Sequence, residues 1–231
     1  MLTKTKIITV ISLLFSGSLP SLAEDNPKVL KDNASYSIGR NVGNQLGQFK
    51  DDINVDQLVE GLRNSFSGKQ PRLTEEEMRK ALGAFNANQQ KKKQQQQMAL
   101  AGKNKQEGEA FLAENKKKKG VTTLPSGLQY QVIRSGKGDS PKATDTVVTH
   151  YHGTLINGTV FDSSVDRGQP ATFPVARVIK GWTEALQKMK VGDKWKIFVP
   201  SKLAYGPAGA PPKIGPDSAL IFDIELLEIK K

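Results

Sequence analysis

The side chains able to do chemistry in this chain lie in its second half, and most are aromatic. Tyr151 sits in His-Tyr-His, Phe161 and Asp162 form an aromatic–acid pair, and Trp182 ends Val-Ile-Lys-Gly-Trp. Tyr205 follows in Ala-Tyr-Gly and Phe222 in Ile-Phe-Asp. Residues 147–182, joined by 204–206 and 221–223, supply one aromatic-walled pocket with a carboxylate and a hydroxyl to orient what it holds. Such a pocket grips an apolar group and strips it of water. Taken singly, Phe161, Trp182 and Phe222 also fit the core of a β-rich domain, and Tyr205 fits a turn. Asp162 with Arg167 fits a surface ion pair worth under about 1 kcal/mol.

Composition narrows the classes. The 231 residues include no cysteine, which excludes disulfides, thiolate metal sites and cysteine nucleophiles. The two histidines, His150 and His152, make no full metal site without carboxylates, and they read as solvent-facing, opposite Tyr151 on their strand. No metal and no cofactor is expected. A formal charge of +11 invites a nucleic-acid reading. However, residues 69–119 hold thirteen basic and six acidic side chains, whereas 24–68 hold five and seven. Most of the excess therefore sits on a Gln/Lys-rich connector, which reads as a solvated helix face, with no nucleic-acid partner.

The elements that must deliver the pocket begin with a leader. Lys4 and Lys6 precede an apolar run from Ile7 to Phe15, and Ser21-Leu22-Ala23 follows. This pattern predicts an export signal, residues 1–23, cleaved after Ala23, and no integral membrane anchor. The mature protein is expected to be exported. From Asp32, Ala34, Ile38, Val42, Leu46 and Phe49 recur at helical spacing beside the row Gly39, Gly43, Gly47. A second helix carries Val55, Leu58, Val59, Leu62 and Phe66 and stops at Gly68. Two short helices bury little surface alone, so residues 24–72 are expected to dimerise through Ile38, Gly39, Val42, Gly43, Leu46, Leu58, Leu62 and Phe66. Leu73-Thr74-Glu75-Glu76-Glu77-Met78 is a capping box that starts a stalk helix over 73–119, polar all round beyond Phe85.

The remaining residues, 120–231, alternate as strands over 128–133, 146–155, 159–161, 171–173, 194–199 and 219–229. Asn157-Gly158 predicts a type I′ hairpin, and 179–189 an amphipathic helix bearing Trp182, Ala185, Leu186 and Met189. The fold class is α+β: a C-terminal antiparallel sheet wrapped around a short helix, preceded by a helical dimerisation domain and a long connecting helix.

The segments THYHGTLINGTVFDSS, VIKGWTEALQKMKVGDKWKIFVP, LAYGPAG and LIFDIELLEI resemble the FKBP-type peptidyl-prolyl cis/trans isomerases. SYSIGRNVG and GEAFLAENK upstream resemble the macrophage infectivity potentiator (Mip) subgroup. The resemblance implies that the C-terminal sheet is an antiparallel half-barrel. It implies an exported homodimeric enzyme, in the periplasm, on the outer surface or in the medium of a Gram-negative bacterium, acting on proline-containing peptides and unfolded proteins. It also implies sensitivity to macrolides of the FK506/rapamycin class. It places Tyr151, Phe161, Asp162 and Arg167 on the first wall, Val178 and Ile179 on the rim, and Trp182 under the proline ring. Tyr205, Ile214 and Phe222 form the remaining wall and flap, with Asp162 and Tyr205 in catalytic roles. Ala171 stands where many members have an aromatic and Ala210 where some have a bulkier residue, which bears on substrate and inhibitor preference. The rival reading is a holdase chaperone or surface adhesin that uses the pocket and stalk for binding only.

Overall fold

Asn26-Pro27 is a helix start in two residues. The Asn26 side chain accepts from the Lys28 amide at 2.9 Å, and Pro27 has no amide to leave unpaired. The computed structural model describes residues 26–230; the leader over 1–23 lies outside them. Helix α1 (Pro27–Leu46) thus begins five residues before the apolar stripe that announces it, and runs into a single 3₁₀ turn, Gly47–Phe49. Asn54 caps α2 (Val55–Phe66) by accepting from the amides of Asp56 and Gln57, and Gly68 ends it with φ +64°.

Neither α1 nor α2 buries a residue. Phe66 is 87% and Ile38 65% exposed, and Val42, Leu58 and Leu62 are also open to solvent. A Cβ placed on Gly39, Gly43 or Gly47 would meet nothing within 4 Å.

Helix α3 (Glu75–Asn115) opens with the anticipated capping box. The Thr74 hydroxyl accepts from the Glu77 amide at 3.2 Å, and the Glu77 carboxylate accepts from the Thr74 amide at 2.8 Å. Its 41 residues span about 60 Å, with the middle exposed on every side. It ends four residues short of the expected Lys119, because Asn115 is drawn into the next domain. The buried Asn115 amide donates to Gln129 Oε1 at 2.9 Å, while Gln129 donates back to the Leu112 carbonyl at 2.8 Å. The described residues up to Met78 form one compact unit and 79–231 a second.

The second unit holds the sheet. Strands β1 (Val121–Thr123), β2 (Gln129–Arg134), β3 (Thr146–Leu155), β4 (Val160–Ser163), β5 (Ala171–Pro174), β6 (Lys194–Val199) and β7 (Leu220–Lys230) are antiparallel, in the order β1-β2-β6-β7-β3-β4. β1 is too short to announce itself in the sequence. β3 is the hub. One edge pairs with β7 throughout, and the other pairs first with β5 and then with β4. The hairpin between β3 and β4 is not type I′, since that turn needs φ > 0 at Asn157 and only Gly158 has it, at +85°. Instead Gly158 donates to the Leu155 carbonyl and Leu155 to the Thr159 carbonyl, a three-residue loop with a glycine bulge. The concave face presents Val147, Tyr151, Trp195, Ile197, Val199, Leu220, Phe222, Ile224 and Leu226, all buried. They close over α4 (Lys180–Leu186), whose Trp182, Ala185 and Leu186 complete the core with Met189 beyond its end. No helix among the described residues is long and apolar enough to cross a membrane.

Candidate active site

One end of the half-barrel stays open because α4 is only seven residues long and enters the sheet with its N-terminus at the mouth. Gly181 lets it sit that deep: a Cβ there would stand 2.6 Å from Val199 Cγ1. The next residue, Trp182, is 4% exposed and forms the floor of a cleft of about 290 Å³. Ring edges hold the indole on three sides. Tyr151 and Phe222 stand 5.3 Å from it and Phe173 5.7 Å, all at 83°. Phe161 packs edge-on against Phe222 at 5.4 Å. Gly153 makes room for that pair, since a Cβ would lie 2.7 Å from Phe161 Cζ and 3.0 Å from Phe222 Cε1.

The polar groups divide into two kinds. Asp162 is engaged at both oxygens: one accepts from the Tyr151 hydroxyl and the other from the Arg167 guanidinium. Arg167 also donates to the Tyr151 oxygen at 2.9 Å and lies 5.6 Å from its ring centre. Burial pushes the Asp162 carboxyl up, but the hydrogen bonds from Tyr151 and Arg167 outweigh it and hold the group below its usual range. Burial, then the bond to Asp162, pushes the Tyr151 hydroxyl above its usual value. The trio thus keeps one protonation state from about pH 5 to pH 9.

The second kind is unspent. Among the described residues the Ile179 amide, just before α4, and the Tyr205 hydroxyl donate to no protein acceptor. Trp182 Nε1 is buried and likewise unpartnered. All three residues line the apolar cleft, an arrangement suited to carbonyl oxygens on an otherwise apolar ligand.

Tyr151, Phe161, Asp162, Val178, Ile179, Trp182, Tyr205 and Phe222 all line the cleft. Arg167 stands behind Asp162 rather than in the lining, and Ile214 is a core residue, 4% exposed, bridged to Ala210. Two lining residues escape sequence reasoning: Phe173 and Arg177. Phe173 was legible, since it shares the inward face of β5 with Ala171 at period two. Arg177 sits in a one-turn 3₁₀ helix with no sequence signature. His150 and His152 do lie on the face opposite Tyr151, but half-buried rather than bare. Their Nδ1 atoms are 3.1 Å and 3.0 Å from the hydroxyls of Ser164 and Ser163. Ser164 ties this corner by accepting from the Tyr151 amide at 2.7 Å. Among the described residues no group of three or more His, Asp and Glu is arranged to hold a metal ion.

Comparison with known proteins places this geometry. Residues 137–227 match the model of the FKBP-type peptidyl-prolyl cis-trans isomerases, and 31–132 match that of the domain amino-terminal to them. The outer membrane protein MIP of Legionella longbeachae is 44% identical over 230 residues, covering 99% of both chains. The peptidyl-prolyl cis-trans isomerase Mip of Coxiella burnetii is 48% identical over 204 residues, 88% of this chain and 89% of that one. The crystal structure of FkpA from Escherichia coli superposes with a TM-score of 0.75 at 39% identity, covering 91% of this chain and 99% of the other. The chain that folds this open half-barrel around an indole-floored cleft therefore belongs to the FKBP-type peptidyl-prolyl cis-trans isomerases of the Mip kind.

Proposed function

We propose that the Trp182 cleft accelerates rotation about Xaa-Pro bonds by desolvating the amide and binding its twisted form, without covalent chemistry. Rotation must break C–N double-bond character against a barrier of about 18–20 kcal/mol. The planar amide is the more dipolar state, so water favours it. Seating the proline ring on Trp182 between Tyr151, Phe161 and Phe222 removes that water. The Ile179 amide and the Tyr205 hydroxyl take the flanking carbonyls, and favouring the twisted geometry over the planar one lowers the barrier. Asp162 acts by holding Tyr151 and Arg167, since both of its oxygens are already engaged. The observation that carries this reading is the set of unspent donors around an apolar floor. A protease-free assay on a tetrapeptide with an internal proline tests it; a wild-type chain that fails to accelerate cis-to-trans exchange refutes it and favours a binding-only role.

The pH profile follows from the same trio. Asp162, whose carboxyl is depressed by folding, contributes stability above its unfolded pKa that is lost as pH falls through the lower folded value. Tyr151, whose hydroxyl is raised, contributes stability below its unfolded pKa that is lost as pH climbs through the higher folded value. The expected kcat/KM is flat between about pH 5 and pH 9. An inflection near neutrality would assign the trio a different protonation state.

The chain works as an exported homodimer in this reading, assisting the folding of proteins outside the cytoplasm. Support comes from the leader pattern over 1–23 and from the uncovered stripe Ile38, Val42, Leu58, Leu62 and Phe66. A second copy meeting the open row Gly39, Gly43, Gly47 would bury both faces. Removing residues 24–68 is expected to leave a monomer by light scattering that remains active on short peptides. A dimeric product would move the interface elsewhere.

A further inference from the structure

Helix α3 does more than precede the catalytic domain. Its last turns grip the loop 206–218, which leads from Tyr205 to β7. Asn104 Nδ2 donates to the Pro216 carbonyl at 2.7 Å and reaches Ser218 Oγ at 3.3 Å, and Ser218 donates to the Gly215 carbonyl at 2.9 Å. The approach is tight at one glycine on each partner. A Cβ on Gly215 would meet Asn104 Nδ2 at 3.0 Å and Leu100 Cδ2 at 3.4 Å, and one on Gly108 would meet Ala219 Cβ at 3.0 Å.

Between the two loop residues that Asn104 holds stands Asp217, the one non-glycine residue with positive φ among those described, at 53°. That conformation is disfavoured for a residue with a side chain and persists where its surroundings over-determine it. In it, the Asp217 amide donates to the Gly206 carbonyl at 2.8 Å, immediately after Tyr205. Tyr205 is 42% exposed and its hydroxyl has no protein partner among the described residues, so no hydrogen bond of its own holds that hydroxyl and its aim depends on the backbone that carries the ring.

We propose that Asn104 is a positioning residue of the active site: through Pro216, Asp217 and Gly206 it locks the loop that aims the Tyr205 hydroxyl. The last turns of α3 then belong to the isomerase unit, although they fall in the stretch matched by the amino-terminal family model. The proposal rests on reading the cleft as the isomerisation site and Tyr205 as a group that touches substrate.

The test uses the full chain and two variants. Asn104→Ala removes the side chain, and Asn104→Asp keeps its shape while replacing the donor with an acceptor facing the Pro216 carbonyl. Both are expected to unfold cooperatively. Amide exchange over 206–218 should accelerate in both while β3 and β7 stay protected. With the proline tetrapeptide, KM should rise about fivefold with kcat little changed, the effect of loosening a contact made in ground and transition states alike. Tyr205→Phe should then cost less on the Asn104→Asp background than on the wild type. Unchanged exchange in both variants overturns the lock. Faster exchange with an unchanged KM overturns its catalytic role, as does an Asp variant that behaves like wild type. A wild-type chain inactive on the peptide overturns the reading of the cleft itself, while the exchange data still decide whether Asn104 holds the loop.

Discussion

Replacing Asp162 with alanine is expected to cut kcat/KM about thirtyfold, a loss of about 2 kcal/mol in transition-state binding, while leaving the fold in place. The carboxylate organises two neighbours that have no other strong partner. Without it the Tyr151 hydroxyl keeps only the Arg167 contact at 2.9 Å, and Arg167 loses the anion that anchors it. Tyr151 is both a wall of the cleft and one of the three rings that fix the indole, at 5.3 Å. Freeing its hydroxyl therefore loosens a wall of the proposed proline site. Stability changes little because the pair is wet: the Asp162 and Arg167 side chains are 45% and 51% exposed, and such pairs contribute under about 1 kcal/mol. Asp162→Asn, which retains one oxygen for Tyr151, should lose only about fivefold. The check is the tetrapeptide assay beside a thermal melt. An alanine variant within twofold of wild type would show that the trio is scaffolding without consequence for the cleft.

The fold was readable where one period dominates. Strands β3 and β6 match their expected limits, because alternation on a half-buried sheet is a strong signal. The capping box at Thr74 and Glu77 was equally plain. Readings failed where several geometries share one sequence cue. Asn-Gly serves both the type I′ turn and the bulged loop observed at Gly158, and nothing local separates them. The start of α1 was hidden because Asn26-Pro27 is capping chemistry without an apolar residue beside it.

The cleft itself was legible through joint occurrence rather than through any single aromatic. Trp182, Phe161 and Phe222 each look like core residues, and they are also buried. What the sequence could not express is the distinction between lining and support. Arg167 and Ile214 lie just beyond the motifs that hold their lining neighbours, and one stands behind a carboxylate while the other faces the core. Asn104 is the extreme case: its partners Pro216 and Ser218 lie more than a hundred residues away, and it sits in a polar run with no apolar period to single it out.

Trp182 separates floor from donor. Trp182→Ala opens a cavity beneath the cleft and is expected to cost about 3–5 kcal/mol, lowering Tm by about 10 °C and activity by about a hundredfold. Trp182→Phe keeps an aromatic plane against Tyr151, Phe173 and Phe222 and removes only the part of the indole that carries Nε1. That nitrogen is buried and unpartnered among the described residues, and leaving a polar group in that state costs about 1–3 kcal/mol. Losing it offsets much of the lost contact area, so the phenylalanine variant should melt within about 3 °C of wild type. Its activity then discriminates between two roles. A floor that merely desolvates tolerates the change to within about fivefold, because the ring beneath the proline survives. A variant as stable as wild type yet as inactive as alanine would mean that the indole N–H itself takes part in binding the twisted amide.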